Sequence, residues 1–132
     1  MNTDRTDVVA EIRRAFEAYE AALMANDVEA LTGFFWRDPR AARMGGDGNL
    51  YGWDAIAGFR RGRDASDVAR ELGRVEVHAF GQDFGTATAE YRRKGSGRRG
   101  AQSQTWVRFP EGWRIVAAHV SLEPPKAEDA GR

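Results

Sequence analysis

The segment from residue 101 to residue 122 predicts two long strands joined by a tight turn. Side chains alternate along both halves, as in strands whose successive residues point to opposite faces. We place the turn at Glu111-Gly112, because glycine supplies the positive φ that a two-residue hairpin loop needs. This register predicts one face that mixes large apolar side chains with amides, a histidine and a hydroxyl. Its pairs are Pro110–Trp113, Arg108–Ile115, Trp106–Ala117, Gln104–His119 and Gln102–Ser121.

A face with polar groups clustered at one end is typical of a pocket floor, so we predict that it points inward. The other face of the hairpin carries Val107, Thr105, Ser103, Val116, Ala118 and Val120. Two alternatives remain open. A three-residue loop would shift the register by one residue, and the Val/Ala side would be the core if the polar face were solvated.

Length and composition favour one domain over residues 1–124 and a disordered tail over residues 125–132. The 132 residues have a formal net charge of zero, no cysteine and no apolar run long enough to span a membrane. We expect the basic run at residues 92–99 to be a solvated hairpin tip. The expectation is therefore a cytoplasmic protein without nucleic-acid or membrane partners.

Arginine accounts for 18 of the 20 basic residues. A GC-rich genome would explain this bias, but the planar guanidinium group is also suited to binding carboxylates. Composition does not decide between the two explanations.

Helical patterns precede strand patterns along the chain. Four apolar residues spaced by 4, 3 and 4 predict a first helix over residues 6–25. They are Ile12, Phe16, Tyr19 and Leu23. Shorter helices are predicted at 26–38 and 52–63, on either side of a small hairpin. Long strands are predicted at 74–80, 84–93, 101–109 and 113–122. This order predicts an α+β fold in which three N-terminal helices pack on a curved antiparallel sheet, forming a cone with one internal cavity.

Several motifs are distributed over residues 8–122. They are Phe16-x-x-Tyr19-Glu20, Phe35-Trp36, Arg43, Leu50-Tyr51-Gly52, Ile56-x-x-Phe59-Arg60-x-x-Arg63, Gln102-Ser103-Gln104-Thr105-Trp106-x-Arg108 and Gly112-Trp113-Arg114-Ile115-Val116-Ala117-Ala118-His119-Val120-Ser121. Together they resemble the AtzH/HpxZ family, within the nuclear-transport-factor-2-like (SnoaL-like) cone superfamily. The resemblance implies a role beside amidases in the breakdown of cyanuric acid, or of oxalurate and related ureides.

The AtzH branch of that family implies removal of CO2 from 1,3-dicarboxyurea, giving allophanate, without a cofactor. The resemblance places Tyr19 and Arg43 where that branch has its catalytic pair. Arg60 and Arg63 share a helix face and are further candidates for gripping carboxylates. A nearby arginine favours the ionised form of a tyrosine, which makes Tyr19 the candidate proton donor. The other substrate-binding candidates are Gln104, His119 and Ser121 for the urea carbonyl, and Trp36, Tyr51 and Trp106 as walls.

The sequence weighs against two other kinds of site. Two widely separated histidines offer no metal spacing, so no metal site is predicted. No Asp lies on the predicted inner face, which weighs against a carboxylate that shuttles protons.

Several of the assigned residues have a structural alternative. These are a core tyrosine for Tyr19, an ion pair with Asp47 for Arg43, surface ion pairs for Arg60 and Arg63, and a structural hydrogen bond for His119.

We predict a decarboxylase that acts on a small dicarboxylate or ureide. A non-catalytic partner of an amidase and a hydrolase of a related ureide are the alternatives. We also expect a homodimer, since cones of this superfamily commonly pair through the outer face of the sheet. That face is predicted to carry Val107, Thr105, Val116, Ala118 and Val120.

Overall fold

The helices and strands follow the predicted order in a computed structural model that describes residues 1–46 and 48–125. The predicted tail from residue 126 onward and Asp47 lie outside the described residues. The helices are α1 (Thr6–Met24), α2 (Val28–Gly33) and α3 (Trp53–Gly62). The strands are β1 (Ala42–Gly45), β2 (Leu50–Tyr51), β3 (Arg70–Ala79), β4 (Phe84–Arg93), β5 (Arg99–Phe109) and β6 (Gly112–Leu122).

The strands form one curved, unclosed sheet in the order β2-β1-β6-β5-β4-β3. All neighbouring strands are antiparallel except β1, which runs parallel to β6. The helices cover one face, with α1 packed against β3 and β4. The predicted α+β cone is therefore confirmed.

The core lies between α1 and the inner face of the sheet. The predicted apolar stripe of α1 is buried, from Ile12 to Leu23, and it meets the fully buried Trp106 and Ile115. Burying a side chain of this size contributes about 1.5–3 kcal/mol, so the stripe anchors α1 across the sheet.

The last hairpin turns at Pro110-Glu111, one residue before the predicted turn. Proline presets the φ angle of the first central turn position, and glycine is favoured directly after the second. Gly112 takes that place with φ 128° and pairs with Phe109. The register near the turn therefore differs by two residues from the predicted one, for example in Arg108–Trp113. An even shift leaves the faces unchanged.

A β-bulge further along β6 does change the faces. Trp106 pairs with Ile115 and Thr105 pairs with Ala117, so Val116 has no partner on β5. One extra residue in a strand moves all later side chains to the opposite face.

The bulge decides which polar residues of the hairpin point inward. Gln102 and Gln104 are buried as predicted, and Ala118 is buried with them. His119 and Ser121 are exposed on the outer face. Their predicted inner placement is wrong, because alternation alone carries no signal of a bulge.

The outer face of the sheet changes for the same reason. Ala118 and Val120 were predicted there but point inward, whereas Val107, Thr105 and Val116 lie outside. The exposed side chains on the outer face of β5 and β6 are Arg99, Ala101, Ser103, Ala117, His119 and Ser121. The exposed side chains of this face are therefore more polar than predicted. The homodimer across this face stays a prediction.

Light scattering coupled to size exclusion tests the homodimer. We expect a mass of twice the 14.7 kDa of one chain. Ala117→Glu is expected to give a monomer, because a dimer across this face would bury two unpaired carboxylates. Ala18→Glu, on the exposed side of α1, is the control and is expected to leave the mass unchanged. A monomeric parent protein would contradict the prediction.

Gly85 marks the closest approach of α1 to the sheet. A Cβ atom there would overlap Ile12 Cδ1 and the carbonyl oxygen of His78. We expect Gly85→Ala to lower the free energy of unfolding by about 2–3 kcal/mol, through overpacking against backbone. Urea denaturation measures this change.

Gly58→Ala is the matched control for this substitution. Gly58 lies inside α3, and a Cβ atom there would meet nothing within 4 Å. We expect it to stabilise the fold by about 0.5–1 kcal/mol, since alanine is the better helix former. Equal effects of the two substitutions would show that the packing argument for Gly85 is wrong.

Candidate functional site

A cavity lies where α1, the end of α3 and the sheet converge. Tyr19 and Leu23 reach it from α1, and Tyr91, Gln102 and Val120 reach it from the sheet. The enclosed space is about 30 Å³, and part of the cavity opens to solvent. Its most unusual feature is a set of five lining guanidinium groups: Arg43, Arg60, Arg63, Arg70 and Arg93.

Tyr19 is buried in this cavity and bonded to one of those arginines. Its ring packs edge-on against Phe34 and Phe35, with centroids 5.9 and 6.4 Å away. Its hydroxyl oxygen accepts a hydrogen bond from Nη2 of Arg60. The tyrosine proton therefore remains available for an acceptor other than Arg60.

Arg60 and Arg63 reach the cavity from one face of α3 and its end. Arg60 is only 4% exposed. Among the described residues, Nε of Arg60 and both Nε and Nη2 of Arg63 are buried without a hydrogen-bond partner. Burial, together with the nearby positive charge of Arg60, lowers the pKa of Arg63 to about 10. Buried cations without partners are costly, and an anion would offset that cost.

Arg43 reaches the cavity from β1 and is 5% exposed. Its guanidinium carbon lies 4.6 Å from the ring centroid of Phe59, within cation–π distance. A Cβ atom on Gly45 would come within 3.3 Å of Arg43 Nη1, so glycine leaves room for the guanidinium group. The alternative ion pair with Asp47 lies outside the described residues.

A closed polar network lies beside these groups. Arg70 donates from Nε to Glu20 Oε2 at 3.2 Å, and its Nη2 donates to Glu20 Oε1 as well. The same Nη2 donates to Gln102 Oε1 at 2.8 Å, and Gln102 Nε2 donates to Glu20 Oε1 at 3.2 Å. The carboxylate of Glu20 therefore neutralises the charge of Arg70. It does not pair with the other guanidinium groups that line the cavity.

Four residues at this site were not predicted from the sequence: Glu20, Arg70, Tyr91 and Arg93. Glu20 follows Tyr19 directly. Tyr91 and Arg93 stand two residues apart in β4, and this period-two spacing could have placed both on the inner face. Arg93 was assigned to a solvated tip, but it is half-buried and lies 3.5 Å from Asp67.

Three predicted wall and amide residues lie outside the cavity. The side chain of Gln104 accepts from Trp106 Nε1 at 3.1 Å, and both residues belong to the core. Trp36 stacks on Phe109 with centroids 5.5 Å apart. These aromatic rings build the core and the rim of the sheet, and none is among the residues that line the cavity.

The remaining predicted binding residues are also elsewhere. Tyr51 is 70% exposed, at the short edge strand β2. His119 and Ser121 point to the outer face because of the bulge at Val116. Of the ten predicted site residues, the structure brings four together in the cavity: Tyr19, Arg43, Arg60 and Arg63.

The charge of the cavity indicates an anionic ligand. None of the described residues that line it is acidic. Within the ranges 1–46 and 48–125, no three histidine, aspartate or glutamate side chains converge as metal ligands. Among the described helices, none is both long and apolar enough to cross a membrane.

The fold and the cavity define a nuclear transport factor 2 (NTF2)-like cone with an arginine-rich interior. The AtzH-like family model matches residues 1–126. The chain therefore belongs to the AtzH-like family. A comparison with curated proteins gave no match.

Two crystal structures are similar over almost the whole chain. One is a protein of unknown function of the DUF3225 family from Pectobacterium atrosepticum, with 44% identity and a TM-score of 0.88 over 92% of this chain and 95% of that one. The other is a cystatin-like fold protein from Burkholderia xenovorans, with 40% identity and a TM-score of 0.87 over 94% and 99%.

A more distant structure has the same fold. It is a putative ketosteroid isomerase from Parabacteroides distasonis, with 16% identity and a TM-score of 0.70 over 83% of this chain and 86% of that one. At this identity the similarity concerns the fold alone.

The lowered pKa of Arg63 gives a stability prediction. Above about pH 10 the unfolded chain still binds a proton at this group that the folded chain has lost, so stability from this group rises with pH there. Below pH 10 the cost of the buried charge is complete. At pH 7, Arg63→Gln should therefore stabilise the ligand-free protein by roughly 1 kcal/mol, after allowing for partial solvent exposure.

The same substitution should weaken anion binding about 10-fold, because a charge-assisted donor is lost. Thermal unfolding with and without malonate measures both effects. Arg61→Gln, at the exposed neighbouring position, is the control and should change neither. A destabilised Arg63→Gln protein would contradict the cost assigned to this charge.

Proposed function

We propose that the protein is a cofactor-free decarboxylase that converts 1,3-dicarboxyurea to allophanate and CO2, in ureide or s-triazine nitrogen catabolism. The observation that carries this proposal is the Tyr19 hydroxyl bonded to Arg60 inside a cavity lined by arginines. The membership of the AtzH-like family supports it.

The charges of the site suit a substrate with two carboxylates. Arg60 and Arg63 offer buried N–H groups without partners, and a planar guanidinium can bind a carboxylate through two parallel hydrogen bonds. An anion that enters would satisfy those donors and remove their mutual repulsion. Such a substrate therefore gains most of its binding energy from groups that are costly in its absence.

During the reaction, negative charge moves from the departing carboxylate to the nitrogen, and the arginines of the cavity can therefore have different roles. The bond between nitrogen and the departing carboxylate breaks, CO2 leaves, and the electron pair stays on the nitrogen. The adjacent carbonyl delocalises this charge, so the step needs no electron-accepting cofactor. Strong binding of the departing carboxylate would stabilise the reactant more than the transition state. Arg43 and Arg63 should therefore hold the carboxylate that remains.

Tyr19 and Arg60 should face the nitrogen, where negative charge develops. The tyrosine O–H donates its proton to the nitrogen and thereby completes the carbamate–amide product. The resulting phenolate is stabilised by the hydrogen bond from Arg60 and is protonated again from water. In this scheme, Arg60 acts mainly on the rate of the reaction, whereas Arg63 acts mainly on binding.

Removing the proton donor gives the sharpest test of this proposal. Tyr19→Phe should reduce CO2 release from 1,3-dicarboxyurea by about 10²–10⁴-fold, because the phenyl ring has no proton to donate. Malonate binding and circular dichroism should stay at parental levels, since the ring still fills its place in the core. Tyr51→Phe, which removes an exposed hydroxyl, is the control and should keep full activity.

Three other results would contradict the proposal. Full activity of Tyr19→Phe would exclude its role as the donor. Malonate binding without CO2 release by the purified protein would favour a non-catalytic partner of an amidase. Release of ammonia instead of CO2, with oxalurate as the second substrate tested, would favour a hydrolase.

A further inference from the structure

Arg70, the first residue of β3, lies in the same cavity as the proposed catalytic groups but has no role in the scheme above. Its side chain is only 6% exposed. The guanidinium carbon stands 4.3 Å from the ring centroid of Tyr91, which fixes the plane of the group from one side. Glu20 and Gln102 hold its edge through the network described above.

The hydrogen bonds of Arg70 use only part of its donors. The Nε donor and both donors of Nη2 are directed at Glu20 and Gln102. Two further N–H groups belong to Nη1. Among the described residues, no hydrogen bond uses Nη1. Because Arg70 lines the cavity, these two N–H groups are the donors left for a ligand there.

We propose that Arg70 is a further substrate-binding residue, which donates from Nη1 to an anionic group of the ligand. This inference rests on the proposed function and deepens it. Arg70 at the start of β3 then adds a guanidinium group from a further element to those of Arg43 on β1 and of Arg60 and Arg63 near the end of α3. Donors from separate elements suit a ligand with two carboxylates better than a ligand with one.

Glu20 is a positioning residue in this arrangement. Both of its carboxylate oxygens accept hydrogen bonds, Oε1 from Arg70 and Gln102 and Oε2 from Arg70. A carboxylate whose two oxygens are engaged in this way holds the guanidinium group of Arg70 in one orientation. It also cancels one positive charge, so that Arg70 contributes directed donors to the site rather than extra net charge.

The double substitution Glu20→Gln with Arg70→Gln separates these two contributions. It removes one negative and one positive charge, so the net charge of the site is unchanged. A pair of neutral amides can still hydrogen-bond in place of the buried ion pair, which avoids leaving one charge unpaired. The Nη1 donors of Arg70 are lost, so the affinity for a ligand that uses them should fall.

Calorimetry at low ionic strength measures the affinities of the double variant for malonate and for acetate. We expect malonate to bind the double variant about 10- to 100-fold more weakly than the parent, and acetate to change less than about 3-fold. The charge-neutral pair Arg74→Gln with Glu76→Gln, an exposed pair on the same strand, is the control and should change neither affinity.

Unchanged malonate affinity would overturn the role of Arg70, and so would an equal loss of affinity for malonate and acetate. If the double variant does not fold, Arg70→Lys keeps the charge beside Glu20 and removes the forked donor. It should also lose malonate affinity selectively, and parental affinity in this variant would overturn the inference. Failure of the parent protein to release CO2, with malonate binding intact, would contradict the decarboxylase but not the role of Arg70.

Discussion

Strand β6 joins the two parts of the sheet, because it pairs with β5 along one edge and with β1 along the other. The unpaired Val116 therefore affects more than one hairpin. It turns Ala118 inward at the point where β6 pairs with Arg43 of β1, and it turns His119 outward. A small side chain opposite Arg43 leaves room for a guanidinium group, and the cavity is lined by arginines and not by histidine as a consequence.

The cavity then presents a physical problem, since several cations lie close together in a place that excludes much of the solvent. Arg70 pairs with the buried carboxylate of Glu20, and Arg93 pairs with the half-buried Asp67. The lowered pKa of Arg63 reflects the free-energy cost of burying its charge beside another cation. A fold that keeps such a cost in the free protein can regain the energy when an anion binds, which is typical of sites selected for binding rather than for stability.

Period and spacing were sufficient to predict the order of the elements, the buried stripe of α1 and the shared face of Arg60 and Arg63. They were not sufficient for the second half of β6, because a bulge depends on how two strands fit together and not on the pattern of either one. The network of Glu20 and Arg70 was missed for a similar reason. These residues are 50 positions apart, and only the packing of α1 against β3 brings them into contact. Local patterns thus predict faces, whereas the partners of buried charges depend on tertiary contacts.

The last turns of α1 show how this fold separates two kinds of polar group. Tyr19 and Glu20 are consecutive, so their side chains leave the helix about 100° apart and meet different arginines. Tyr19 accepts a hydrogen bond from Arg60 through its hydroxyl oxygen, so that contact does not use the O–H proton. Glu20 accepts hydrogen bonds from Arg70 through both carboxylate oxygens and forms an ion pair with it. One helix thereby places a hydroxyl group and an ion-paired carboxylate beside the same cavity, each in contact with a different arginine.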